Sequence, residues 1–288
     1  MPVAQLLAPR TKDLGGGFLV RRLLPAAGRQ SVGPFVFFDH FGPVTVRPTD
    51  NFDVRPHPHI GLATVTYLFE GAMLHRDNLG AVQRIEPGAI NWMSAGRGIV
   101  HSERRPPDLR EREYTAHGLQ LWAALPREFE ESDPLFAHTS AGEIPEWHAD
   151  GLDCRLLVGE AFDRKSPVST FAPTLYLDVV ARAGAALDLP ASLGERGVYG
   201  VDAPLSVDGT EVPAHTMAFL APGAAATVVA PQDARYVVVG GAPLDGPRFI
   251  FWNYVSSSRE RIERAKDDWR AQRMEKIPGE TEWIPLPD

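Results

Sequence analysis

Two short pairs of residues in the sequence carry side chains that can bind a metal. His57 and His59 stand one residue apart in RPHPHIG, and His101 and Glu103 stand one residue apart in GIVHSE. Side chains at positions i and i+2 of an extended segment point to the same face. Each pair can therefore aim at one point. If the two segments are neighbouring strands of one barrel, all four side chains meet in its interior.

Three imidazole nitrogens and one carboxylate oxygen suit a divalent first-row transition metal. Mg²⁺ and Ca²⁺, by contrast, prefer oxygen ligands alone. A thiolate zinc site is excluded, because the only cysteine is Cys154, which we expect to be a small buried residue. The stretch SAGRGIV between the pairs lacks the Lys-Ser/Thr of a phosphate-binding loop, so its glycines are interpreted as turn residues.

Short β-rich runs fill most of the chain and predict an all-β fold. Examples are ATVTYLFEG (63–71) and ARYVVVGG (234–241), and turn signals such as DNLG and EPG separate such runs. This spacing is typical of a barrel or a sandwich. Only the end is predicted to be helical, with a capping box at Ser257 and Glu260 and an apolar stripe at Ile262, Ala265 and Trp269.

The two halves of the chain share a pattern, which predicts two copies of one barrel. A hairpin leads into EPGAINWMSAG in the first half and into PAHTMAFLAPG in the second. In the second copy, Val228 and Ala230 stand where the first has His101 and Glu103, so one metal per chain is expected. The predicted domains are a metal-binding barrel, a linker, a metal-free barrel and an extension whose helix docks on the barrels, with the bounds 1–130, 131–148, 149–246 and 247–288.

The charge of the chain argues against two classes of partner. The net charge is −8 and no run of Lys or Arg exceeds two residues, so neither nucleic acid nor an anionic membrane is expected as a direct partner. No apolar run approaches the roughly 18 residues of a membrane span. The expected location is therefore the cytoplasm.

Several stretches together resemble the pirin family of bicupins. They are, in chain order, HPHIG, YLFEG, HRDNLG, EPG, MSAGRGIVHSE, HGLQLW and WNYVSSSRERI. The resemblance implies two tandem cupin (jelly-roll) barrels and metal ligation by His57, His59, His101 and Glu103. A typical cupin has a glutamate four or five residues after the second histidine of its first motif. Here Ala63 and Thr64 hold those positions. The pirin resemblance implies that the carboxylate comes instead from Glu103, and Glu70 is not counted as a ligand.

The same resemblance implies quercetin 2,3-dioxygenase-like activity with an aromatic small-molecule substrate and O₂. In that reaction Glu103 would act as the catalytic base if it detaches from the metal. Fe(II) is favoured by the resemblance, and Ni, Mn, Cu, Co and Zn are compatible with the same ligands. No cofactor beyond the metal is expected.

Two alternatives stay open from the sequence. The chain could be a metal-dependent regulatory protein that acts through a protein partner, or a cupin dioxygenase or isomerase with another substrate. His75 and His117 lie in family-like stretches and are candidates for pocket roles. Three other histidines are expected to be structural or surface residues: His40, His138 and His148. Three aromatic residues could line the cavity but are expected mainly to pack in the core: Phe38, Trp92 and Trp122.

Overall fold

The computed structural model describes residues 2–287 and consists mainly of antiparallel strands. The first thirteen strands are β1 (Val3–Leu7), β2 (Arg10–Asp13), β3 (Leu19–Leu24), β4 (Phe35–Val46), β5 (Val54–His59), β6 (Leu62–Glu70), β7 (Met73–Asp77), β8 (Val82–Ile85), β9 (Ile90–Ser94), β10 (Ile99–Arg104), β11 (Tyr114–Ala124), β12 (Leu135–Thr139) and β13 (Glu146–Ala149). The others are β14 (Leu152–Val158), β15 (Glu160–Ala161), β16 (Arg164–Lys165), β17 (Thr174–Ala181), β18 (Ala186–Leu189), β19 (Glu195–Gly200), β20 (Leu205–Val207), β21 (Thr210–Val212), β22 (Met217–Leu220), β23 (Ala226–Val229), β24 (Ala234–Gly241), β25 (Phe249–Phe251) and β26 (Tyr254–Ser256).

The chain divides into two compact units. One contains Lys12–Val20, Asp39–Ala141 and the chain from Leu244 onward, and the other contains the chain up to Thr11, Arg21–Phe38 and Gly142–Pro243. The segment 131–148, predicted to be a linker, carries β12 and most of β13, which pair with β9 and β14. The predicted boundaries at 130, 148 and 246 stay a prediction.

The histidine-bearing unit is built around a four-stranded sheet, β5-β10-β7-β8. A sheet of seven strands, β12-β9-β6-β11-β4-β3-β2, supplies the opposite wall of its barrel. Side chains of the two sheets meet in the interior, where Trp122 of β11 packs against His59 of β5. Alternation along β10 therefore turns His101 and Glu103 inward and their neighbours Val100 and Ser102 outward.

The second unit repeats this architecture without a counterpart of His57, His59 and His101. Its sheets are β1-β22-β19-β24-β17-β14-β13 and β18-β23-β20-β21, with a small β15-β16 hairpin. Apolar side chains from both sheets form its core. The all-β fold with two barrels and one short C-terminal helix, expected from the sequence, is confirmed.

The helix, α1, spans Arg259–Arg270 and buries Ile262, Ala265 and Trp269, as the apolar spacing predicted. The predicted cap was wrong by one residue: Ser258, not Ser257, is the N-cap and accepts a hydrogen bond from the Arg261 amide at 3.2 Å. Ser257 instead donates from Oγ to Glu130 at 2.9 Å. Within residues 2–287, no helix has the length and apolarity needed to cross a membrane.

Candidate metal centre

Three histidines converge on one point inside the first barrel. β5 and β10 are antiparallel neighbours in which His101 is opposite His57 and Ile99 is opposite His59. Each histidine offers one ring nitrogen, and these three nitrogens all lie within 4.8 Å of one another. The Nε2 atoms of His59 and His101 are 3.1 Å apart. The strand pairing thus brings together three of the four residues that the sequence suggested as ligands.

The hydrogen-bond partners of two of these rings fix where their lone pairs point. Nδ1 of His57 lies 2.9 Å from the carbonyl oxygen of Arg55, and Nδ1 of His59 lies 3.1 Å from that of Asn253. A carbonyl oxygen only accepts, so each Nδ1 carries the proton. In the neutral rings each Nε2 therefore presents a lone pair. This is the arrangement of histidine metal ligands, whose other ring nitrogen donates to a fixed acceptor.

Burial keeps these rings neutral. The three side chains are nearly inaccessible to solvent. Desolvation lowers the pKa of His57 to about 4, and it lowers the pKa values of His59 and His101 well below the ordinary range, with further lowering from the neighbouring rings. Neutral imidazole is the form that binds a metal. The donor set therefore fits a divalent transition metal at neutral pH.

Glu103 lies on the same inward face as His101, but its carboxylate is not part of the three-residue group. Among the described residues, the group of potential ligands within mutual reach contains histidines alone. Burial raises the pKa of Glu103 to about 7. A carboxyl group in this position can hold or release a proton near neutral pH, and its role as a fourth ligand stays a prediction.

Aromatic side chains pack around the three converging histidines, which are called the triad from here on: His57, His59 and His101. Trp122 packs against His59 with 5.3 Å between ring centroids and ring planes 75° apart. Phe136 stacks on His75 with centroids 4.1 Å apart and ring planes 12° apart. His75 in turn approaches His101, with 3.4 Å between their Nδ1 atoms. Neither Phe136 nor the residue that holds His75 in place, Asp77, was singled out from the sequence.

The remaining sequence candidates lie elsewhere. His117 pairs with His40, with 2.8 Å between their Nε2 atoms, and Glu70 is exposed 3.8 Å from His117. Phe38 packs edge-on against Tyr199 in the second unit. The other candidates also have partners outside the triad: Trp92 with Ser94, His138 with Asn91 and the exposed His148 with Asp153. In the second barrel, Val228 and Ala230 are part of the apolar core.

The outer face of the ligand strand is covered by the C-terminal extension. Ser102 donates to Glu280 at 2.6 Å, and Arg104 forms an ion pair with the same carboxylate. Further along, the amide of Ile284 donates to the carbonyl oxygen of Pro56, next to His57, at 2.8 Å. The extension thus contacts both metal-facing strands from behind.

Two antiparallel β-barrel units, one of them with inward-facing histidines, define the class of two-domain cupins. Residues 17–123 match the model of the pirin family, and residues 176–275 match that of the pirin C-terminal cupin domain. A pirin-like protein from Caulobacter vibrioides is 47% identical over 284 residues, which is 97% of each chain. The chain belongs to the pirin family.

Solved structures agree with this assignment. Two structures described as quercetin 2,3-dioxygenase from Acinetobacter baumannii superpose with TM-scores of 0.91 and 0.88 at 33% and 26% identity. The first comparison covers 99% of this chain and 95% of the other, and the second covers 94% and 97%.

Proposed function

We propose that this protein is a metal-dependent pirin-type dioxygenase that cleaves flavonols such as quercetin. The observation that carries the proposal is the inward convergence of three neutral, buried histidines whose nitrogens lie within 4.8 Å of one another. The likeness to the structures described as quercetin 2,3-dioxygenase supports the choice of reaction. Family resemblance favours Fe(II) as the metal.

The histidines would hold the metal through Nε2, and Glu103 would complete the donor set. When bound, a divalent metal held by these residues would lower the pKa of a substrate hydroxyl and orient the substrate for reaction with O₂. The Asn253 and Arg55 carbonyls orient two of the rings, so little rearrangement is needed on loading.

Two features of the surrounding chain suit an aromatic substrate. Trp122 and Phe136 contribute ring surface beside the triad, which can pack against a flat apolar ligand. Glu103 faces the same interior and has a pKa of about 7, so if it detaches from the metal it can take a proton from a substrate hydroxyl at neutral pH. The walls would exclude water, while the carboxylate would accept the proton.

The test is anaerobic reconstitution with Fe(II), Ni²⁺ or Mn²⁺, followed by exposure to quercetin and O₂ with detection of carbon monoxide. We expect the parent to release carbon monoxide and His101→Ala to release none. A fully loaded parent that leaves quercetin unchanged would refute the flavonol reaction. Turnover of a different small molecule by the same loaded protein would point to another cupin reaction.

A second candidate function is metal-dependent regulation through a protein partner. The contacts between the C-terminal extension and the ligand strands favour it, because Glu280 is tied to both Ser102 and Arg104 of β10. Metal loading could thereby change the exposed part of the extension, where Trp283 is 44% accessible. Hydrogen exchange of residues 275–287 with and without metal tests this, and unchanged protection would argue against it.

A further inference from the structure

The third histidine of the triad is oriented differently from the other two. His57 and His59 donate to backbone carbonyls, whereas Nδ1 of His101 faces Nδ1 of His75 at 3.4 Å. Either of two imidazole nitrogens can be the donor in such a contact. Nε2 of His101 lies 3.1 Å from Nε2 of His59, so when both of these nitrogens bind a metal the direction of the Nδ1 contact is set by a group beyond His75.

Asp77 is that group. Its Oδ2 lies 2.8 Å from Nε2 of His75, and the carboxylate is fully buried. Its Oδ1 accepts hydrogen bonds from the amides of Leu79 and Ala81, both at 3.0 Å, so the carboxylate cannot turn. A carboxylate only accepts, so Nε2 of His75 carries a proton, and in that neutral tautomer the lone pair of His75 is on Nδ1.

We propose that Asp77 and His75 are positioning residues that set the tautomer of His101. His75 accepts the Nδ1 proton of His101, so the lone pair of His101 is on Nε2 and points into the triad. The proposal rests on the metal centre described under the proposed function. It does not depend on which reaction that centre performs.

The surrounding contacts hold this chain of hydrogen bonds in register. Phe136 stacks on the His75 ring, which fixes its plane. Asn78 exchanges two hydrogen bonds with the backbone of Val100, at 2.8 and 3.0 Å, immediately before His101. The HRDNLG turn therefore positions both the backbone and the ring of the third ligand.

Asp77→Asn is the variant that tests this assignment. The two amides of the turn would keep the asparagine oxygen where Oδ1 now lies, so its NH₂ group would face Nε2 of His75. His75 would then carry its proton on Nδ1, and His101 would have to accept there and be protonated on Nε2. We expect the affinity for Zn²⁺ to fall roughly ten- to a hundredfold, the usual effect of losing such a supporting partner.

The control is Asp153→Asn, which changes the exposed His148–Asp153 pair of the other unit and should leave Zn²⁺ affinity unchanged. His75→Asn can keep an acceptor facing His101, so it should lose less affinity than Asp77→Asn. Affinities are measured by competition with a chelator. A Zn²⁺ affinity of Asp77→Asn within twofold of the parent would overturn the proposal.

A second readout needs no variant. In ¹⁵N NMR spectra of the Zn²⁺-loaded parent, His75 should be protonated on Nε2 alone and His101 on Nδ1 alone. A proton on Nδ1 of His75 would overturn the proposal even if Asp77→Asn did not fold. Failure of the parent to bind Zn²⁺ would overturn the metal centre itself, whereas absence of quercetin turnover would leave this assignment intact.

Discussion

The three histidine ligands should contribute little to the pH dependence of metal binding, because they are already neutral in the folded protein. Three histidines with a pKa of about 6.5 would together lose roughly a thousandfold in affinity per pH unit below that value. Burial lowers the pKa of His57 to about 4 and the pKa values of His59 and His101 well below the ordinary range. Between about pH 6.5 and about pH 5 these rings should therefore offer little competition from protons.

Glu103 is the one expected ligand at which protons should compete with the metal in this pH range. Burial raises its pKa to about 7, so below that pH each metal ion must displace one proton from the carboxylate. Affinity should then fall about tenfold per pH unit, and Glu103→Gln should remove this dependence. A binding curve that is flat in the parent would show that Glu103 is not a ligand.

The assay is Zn²⁺ competition with a chelator whose own protonation is corrected for, at constant ionic strength, with circular dichroism at each pH to confirm the fold. The stability of the apoprotein depends on pH in a different way from its metal affinity. Folding lowers the histidine pKa values, so the apoprotein loses stability as pH falls through about 6.5 towards 4. A thousandfold loss of affinity per unit between about pH 6.5 and about pH 5 would refute the account of buried, neutral ligands.

Two further predictions concern the elements that position the site. Gly61→Ala should lower the free energy of unfolding by about 3 kcal/mol or more, because φ is +65° and the new Cβ would collide with the carbonyl oxygen of Val255. Gly80→Ala, with φ +90° and open space around the new Cβ, should lower the free energy of unfolding by only about 1 kcal/mol. Equal costs in urea unfolding would contradict this. Glu280→Gln should lower the free energy of unfolding by about 1–3 kcal/mol, because the buried Glu280 carboxylate pairs with Arg104 of β10. Glu282→Gln, at an exposed carboxylate, should change the free energy of unfolding by less than about 0.5 kcal/mol. Comparable effects of the two would show that the extension is not held by the buried pair.

The all-β architecture and the convergence of His57, His59 and His101 could be predicted from the sequence because both follow from short-range periodicity. Alternation of inward and outward side chains is a local property of a strand, so HPH and HSE could each be assigned to one face. The capping residue could not be fixed in the same way, since three consecutive serines precede α1. Ser257 is drawn away by Glu130, a residue more than a hundred positions earlier in the chain.

The residues that support the site are brought together by pairing between distant segments, so local sequence patterns did not indicate most of these residues. Asp77 belongs to a turn signal, and nothing local indicates that its second oxygen faces His75. Phe136 lies in a segment that was predicted to be a linker, yet β12 brings it onto His75 through pairing with β9. The contacts of Glu280 with β10 likewise span about 180 residues of sequence.

The most direct test of the metal centre is anomalous X-ray diffraction from crystals of the protein reconstituted with Zn²⁺. One anomalous peak is expected in the first barrel, about 2.0–2.1 Å from Nε2 of His57, His59 and His101. A crystal with no peak at the three histidines, or with metal bound through Nδ1, would contradict it.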